Sequence, residues 1–212
     1  MNAMTPADLA ALVEAVAGNV SLEATTGALD IDSGAIVDTA GFVKQFIDTA
    51  AYAPGGNINL TADAGAINVA GGAVLDFAGA QGGGAAGAIT LNAPQGAVTL
   101  LGTLQGGAVA GTQGGSFTLK TGGAVDLDAL AATLASSGVN KLISVTTGAG
   151  NLMLSAGNNL TAANVILTAN GGTSPNPSTG NVIIDGTINV SGPAAGEIGL
   201  YGKSGVDVEG TL

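Results

Sequence analysis

The chain of 212 residues contains no Cys, His, Arg or Trp, and charged residues make up only 9 % of it, against about 25 % in an ordinary soluble domain. Each absence removes a class of chemistry. Without His and Cys, zinc, haem and iron–sulfur centres lose their usual ligands, and Ser–His or Cys–His catalysis has no base. Four Lys against 15 acids give a net charge of −11, so phosphates cannot be neutralised and nucleic acid is excluded as a partner. An anionic membrane surface repels the chain for the same reason. No apolar run approaches the roughly 18–20 residues of a spanning helix, so no membrane insertion is expected.

What is present is glycine. The 37 Gly and 6 Pro amount to about a fifth of the chain, below the roughly 25–30 % at which low complexity becomes the default. No collagen triplet occurs. The length allows one domain or at most two. Met1-Asn-Ala-Met-Thr-Pro6 lacks a basic n-region, so the amino terminus does not read as a secretory signal. Either the protein is cytosolic or it is a piece of a longer exported one, and the repeats favour the second.

Those repeats are short and apolar-alternating. Gly18-Asn-Val20-Ser-Leu22 is answered by Gly56-Asn-Ile58-Asn-Leu60, Gly87-Ala-Ile89-Thr-Leu91 and Gly115-Ser-Phe117-Thr-Leu119, and later by Asn164-Val165-Ile-Leu167 and Glu197-Ile198-Gly-Leu200. A second pair follows after a Gly: Leu29/Ile31, Ile67/Val69, Val98/Leu100, Val125/Leu127 and Val206/Val208. A third segment reads Gly102-Thr-Leu104, Gly186-Thr-Ile188 and Gly210-Thr-Leu212. Period-two alternation denotes half-buried strands. One further unit fits through Ile143 and Val145, making about seven unequal units. A propeller blade needs four strands, and a meander would not return the same residue types to the same place. The pattern predicts an all-β fold, a right-handed parallel β-helix with three strands per coil and about seven coils. Small aliphatics suit its narrow interior, and Gly and Asn suit its corners.

Three stretches depart from the pattern. Thr5-Pro6-Ala-Asp8 is a helix-start signature, with Leu9, Leu12, Val13 and Val16 on one face. It predicts a helix over 5–17, dividing the chain into a capping segment (1–17) and the β-helix (18–212). Residues 42–52 read as a helical excursion with Phe42, Phe46 and Ile47 turned inward. Residues 126–137, with Leu127, Leu130 and Leu134, read as another. The Gly-rich stretches 79–87, 106–115 and 170–181 read as corner loops.

The succession Gly56-Asn-Ile-Asn-Leu-Thr-Ala, Gly72-Ala-Val74-Leu-Asp-Phe77 and Gly87-Ala-Ile-Thr-Leu-Asn-Ala-Pro94 resembles the passenger repeats of filamentous-haemagglutinin-like exoproteins of two-partner secretion. Gly114-Gly-Ser-Phe-Thr-Leu119, followed by Asp126-Leu-Asp-Ala-Leu130 and Ser137-Gly138, resembles a helix-bearing coil of such proteins. The likeness runs over nearly the whole chain from Gly18. It implies an interior fragment of a secreted or surface-attached bacterial adhesin, acting as a shaft. The implied partners are a host-cell or surface receptor, protein or glycan, and an outer-membrane transporter for the parent. The family's amino-terminal secretion motifs are not found.

Candidate chemistry is sparse. Asp30-Ile-Asp32 and Asp126-Leu-Asp128 set two carboxylates close together, a pattern that recruits Ca²⁺ in other settings, but the nine-residue calcium-binding repeat is missing. Gly106 to Thr112 resembles a phosphate loop without its Lys. Asn19, Asn59, Asn159 and Asn189 begin glycosylation sequons. Lys44, Lys120, Lys141 and Lys203 are too scattered to form a basic patch. No catalytic, cofactor-binding or metal-ligating residue is assigned, and no enzyme activity is expected. The alternative is a carbohydrate-binding or polysaccharide-degrading β-helix, which would gather its acids in one groove. Because Gly210-Thr-Leu212 stops in mid-unit, the carboxy-terminal strand edge is expected to pair with neighbours.

Overall fold

A computed structural model describes residues 12–171, 179–191 and 196–212. Among them the chain is mostly β, with parallel sheets of stacked strands and one helix. The longest sheet has seven strands: Asn19–Ala24, Asn57–Ala62, Ala88–Ala93, Gly115–Thr121, Val139–Thr147, Asn164–Ala169 and Glu197–Gly202. Between visits to this sheet the chain passes through shorter ones. A second face stacks Leu29–Ile31, Ile67–Val69 and Val98–Leu100, and a third stacks Leu12–Glu14, Ile36–Asp38, Val74–Asp76 and Thr103–Gln105. Past the helix, Leu152–Leu154, Asn181–Ile184 and Gly205–Val208 form one further sheet, and Asn159–Thr161 pairs with Thr187–Asn189. The arrangement is compatible with a β-helix.

The register matches the repeats read from sequence. Val20, Ile58, Ile89, Phe117, Ile143, Val165 and Ile198 are successive partners along the seven-stranded sheet. Leu22, Leu60, Leu91, Leu119, Val145, Leu167 and Leu200 form the adjacent column. Alternate residues point to opposite sides of a strand, so each column faces the interior while Ser21, Asn59 and Thr90 face outward. Ile58, Leu60, Ile89 and Leu91 are fully buried, and each such side chain contributes about 1.5–3 kcal/mol.

Glycine recurs at the strand starts because layers meet there at backbone distance. A Cβ on Gly56 would lie 1.7 Å from the carbonyl oxygen of Gly18, and one on Gly87 would lie 1.7 Å from that of Gly56. Only glycine permits that approach.

Two expected helices are corrected. Of the helix expected over 5–17, residues 5–11 lie outside the described residues, and Leu12–Glu14 is a strand parallel to Ile36–Asp38. The N–H groups of Ala15 and Ala17 continue this pairing onto the carbonyls of Asp38 (2.8 Å) and Ala40 (2.9 Å). An open ladder supplies main-chain partners that a helix lying over it would leave unmet. The excursion at 42–52 is an antiparallel hairpin, Val43–Gln45 with Ala50–Tyr52, closed by Phe46 N–H donating to Thr49 C=O at 2.7 Å. Its Phe, Val, Ile, Thr and Tyr content favours extended backbone. The third expected helix is present over Leu127–Ala135, capped by Asp126 and burying Leu127, Leu130, Ala131 and Leu134.

Candidate functional site

The helix marks a discontinuity. Val125/Leu127, read as a strand pair in the sequence, does not extend the second face: the chain leaves the stack after Gly123, whose N–H still donates to Gly96 C=O at 3.1 Å. Leu127–Ala135 then packs against Thr103–Gln105 on one side and against Leu152–Leu154 and Asn159–Thr161 on the other, and neither the second nor the third face has a strand at this level. The seven-stranded sheet runs through this level; the other two faces stop and resume as separate sheets.

The helix satisfies two of the interrupted edges. On its far side the Asp128 carboxylate accepts the Ser155 N–H at 2.8 Å. Hydrogen bonding from Ser155 is the main reason the Asp128 carboxyl is held below the ordinary carboxylate value, with Asn158 adding to the effect against some burial. On the third face, Ser137 C=O accepts Gly106 N–H at 2.7 Å. The second face differs. Its edge strand Val98–Leu100 borders a cleft of about 340 Å³ lined by Leu91, Val98, Leu100, Leu101, Val125 and Leu130. Leu101, at the rim, is 70 % exposed.

The acidic pairs singled out in the sequence serve local structure. Asp30 accepts a hydrogen bond from the Asn68 side chain of the next layer at 2.8 Å, and Asp32 shares a shallow outer depression with it. Asp126 accepts the Ala129 N–H at 3.0 Å as the helix cap. Among the described residues there is no group of three or more acids that could hold a metal ion. A further pair was not singled out. Asp38 and Asp76 are register partners on the third face, and each accepts the N–H two residues on, Ala40 at 2.8 Å and Ala78 at 2.9 Å. Burial pushes the Asp76 carboxyl up; the Ala78 bond opposes this and the Asp38 charge adds to it.

The other candidates are dispersed. Thr112 turns its hydroxyl onto Val109 C=O at 2.7 Å, so the phosphate-loop-like segment is a corner closed on itself. Asn19, Asn159 and Asn189 are exposed and Asn59 is half-buried. Asn19 accepts from the Asn57 amide at 2.8 Å, and Asn189 accepts from the Ser191 N–H at 2.9 Å. The loop at 170–181 falls partly outside the described residues, at 172–178.

The hairpin carries what sequence reasoning placed wrongly. Phe42, Phe46 and Ile47 were expected inside, but Ile47 is 98 % exposed at the tip and both Phe rings are about half exposed. Lys44 sits over the Phe46 ring, 5.4 Å from its centroid. Tyr52 lies along the next corner, where a Cβ on Gly83 would come within 3.0 Å of its ring. The signal available in the sequence was the concentration of three of six aromatic residues within 42–52.

No protein-family model matches the chain, and neither a curated protein nor a solved structure matches it.

Proposed function

We propose that the chain is a right-handed parallel β-helix of about seven coils, three strands to a coil, and that it serves as a structural and adhesive shaft in a large exported bacterial surface protein. The observation that carries this reading is the in-register stacking of Val20, Ile58, Ile89, Phe117, Ile143, Val165 and Ile198, one from each successive pass of the chain. Such a stack adds length without adding chemistry: each layer repeats the last at about 4.8 Å. The acids support a structural role, since Asp30, Asp38, Asp76, Asp126 and Asp128 each accept a hydrogen bond within the stack.

The resemblance to filamentous-haemagglutinin-like passengers gives the shaft its setting, at the cell surface and facing a protein or glycan receptor. Contact with that receptor falls to the corner loops and excursions at 42–56, 79–87, 106–115, 126–140 and 170–181, of which 172–178 lie outside the described residues. The test is to delete these segments singly in the full-length parent displayed on cells and to measure adhesion. Loss of adhesion on removing one while the stack still folds identifies it as a contact. Unchanged adhesion in every case makes this region a spacer. Reproducible cleavage of acidic polysaccharides by the purified chain, with Ca²⁺ added, would overturn the non-catalytic reading.

A further inference from the structure

The edge of the second face at Val98–Leu100 is open for a reason internal to the fold, because the next pass of the chain turns into a helix instead of pairing with it. Its hydrogen-bonding geometry is fixed by two bonds to the preceding layer. Ile67 N–H donates to Ala97 C=O at 3.0 Å, and Leu101 N–H donates to Val69 C=O at 2.9 Å. In a parallel ladder the groups of alternate residues point to the same side. Residues 97, 99 and 101 therefore face the preceding strand, and the N–H and C=O of Val98 and Leu100 face the cleft. Among the described residues Val98–Leu100 pairs with no other strand. The helix caps Ser155 with Asp128 on its opposite side but offers no such bond here.

The cleft adjoining these groups is apolar, with Leu91, Leu130 and Val125 forming its walls. Asp126 is the one charged residue on its lining, and the chain as a whole carries a net charge of −11. We propose that this edge is a docking site for an extended peptide segment that adds in parallel to Val98–Leu100, with apolar side chains at alternate positions facing the cleft and a basic residue at its flank. The incoming strand continues the ladder Leu29–Ile31, Ile67–Val69 and Val98–Leu100 by one member. Its main chain takes the free groups of Val98 and Leu100, and its inward side chains cover Leu100 and Leu130. Strand addition of this kind draws affinity from main-chain bonds and selectivity from alternate side-chain pockets. Charge favours the basic flank, because acidic segments are repelled by Asp126 and by the surrounding net charge.

The probe is the hexapeptide acetyl-Lys-Val-Thr-Leu-Thr-Lys-amide, titrated into the 212-residue chain up to about 1 mM, a range that captures weak peptide docking. Amide hydrogen exchange is read residue by residue. The expected result is that the Val98 and Leu100 amides exchange about tenfold more slowly with peptide, as newly bonded groups do. Leu100→Pro removes an outward N–H without touching the bonds of residues 97, 99 and 101, and it should abolish that binding. Should that variant fail to fold, Leu101→Lys, at an exposed rim position, should weaken the peptide by charge repulsion. A Glu-flanked version of the peptide should bind more weakly than the Lys-flanked one. Absence of binding, protection that appears only elsewhere in the chain, or equal binding of the Glu-flanked peptide overturns the proposal.

Discussion

Asp128, on the first turn of the helix, closes the strand edge at Ser155 by accepting its main-chain N–H at 2.8 Å. The helix is thereby tied to the layer that follows it. Asp128→Asn should weaken that tie. At neutral pH the loss should be about 1 kcal/mol or less, because the carboxylate is partly exposed and water screens it. The folded-state carboxyl is held below its ordinary value. Its stabilisation is thus present above the unfolded-state value and is lost as pH falls through the folded one. Thermal unfolding of the two proteins should differ at pH 7 and converge in acid; a gap that stays constant with pH would contradict the assignment.

The Asp38–Asp76 pair runs the other way. Burial, with the neighbouring carboxylate, raises the Asp76 carboxyl, so its favourable contribution exists below the unfolded-state value and disappears as pH rises through the folded one. Asp76→Asn keeps an oxygen for the Ala78 N–H and removes the charge. It should therefore raise the unfolding temperature at pH 7, and the gain should vanish toward acid pH.

Gly87→Ala tests the backbone contact between layers. The added methyl would meet the Gly56 carbonyl, which cannot move without breaking the sheet. Such an overpacked site costs about 1–3 kcal/mol or more. Denaturant unfolding should show a lower midpoint than for Gly107→Ala, where a Cβ meets nothing within 4 Å.

The hairpin tip should behave as surface. Phe46→Ser with Ile47→Ser removes two exposed apolar side chains, and stability should change by no more than about 0.5 kcal/mol per site. In the displayed parent the same double variant reports whether the tip touches the receptor, through adhesion at unchanged expression. A large drop in unfolding temperature would show instead that these rings pack inward, as their spacing first suggested.

The strands were legible because burial imposes a strict rule on them. Val20 and Leu22 must alternate with Ser21, and the same constraint recurs at every layer, so register followed from matching residue types. The helix was legible through Leu127, Leu130 and Leu134 together with Asp126 as its cap. The hairpin was not, because Phe42, Phe46 and Ile47 satisfy a helical spacing equally well, and only the backbone pairing of Val43–Gln45 with Ala50–Tyr52 decides between them. Leu12 and Val13 fit one face of a helix and also a strand of Leu12–Glu14, and the open partner Ile36–Asp38 selects the strand. The cleft was invisible for another reason. Val125 and Leu127 carry the strand signature, and nothing in one sequence states that a helix beginning at Leu127 displaces the pairing that Val98–Leu100 would otherwise receive.

The interruption also has a mechanical side. Main-chain hydrogen bonds between layers run along the stacking direction, so they bear tension applied from end to end. At the level of the helix, only the seven-stranded sheet carries a continuous ladder, from Ala88–Ala93 to Gly115–Thr121 and on to Val139–Thr147. The two other faces are spliced there by helix packing and by single bonds such as that of Asp128 to Ser155. Among the described residues the level of the helix is therefore where the layers are joined by a main-chain ladder on one face alone, and a load applied from end to end is carried there by that ladder and by helix packing.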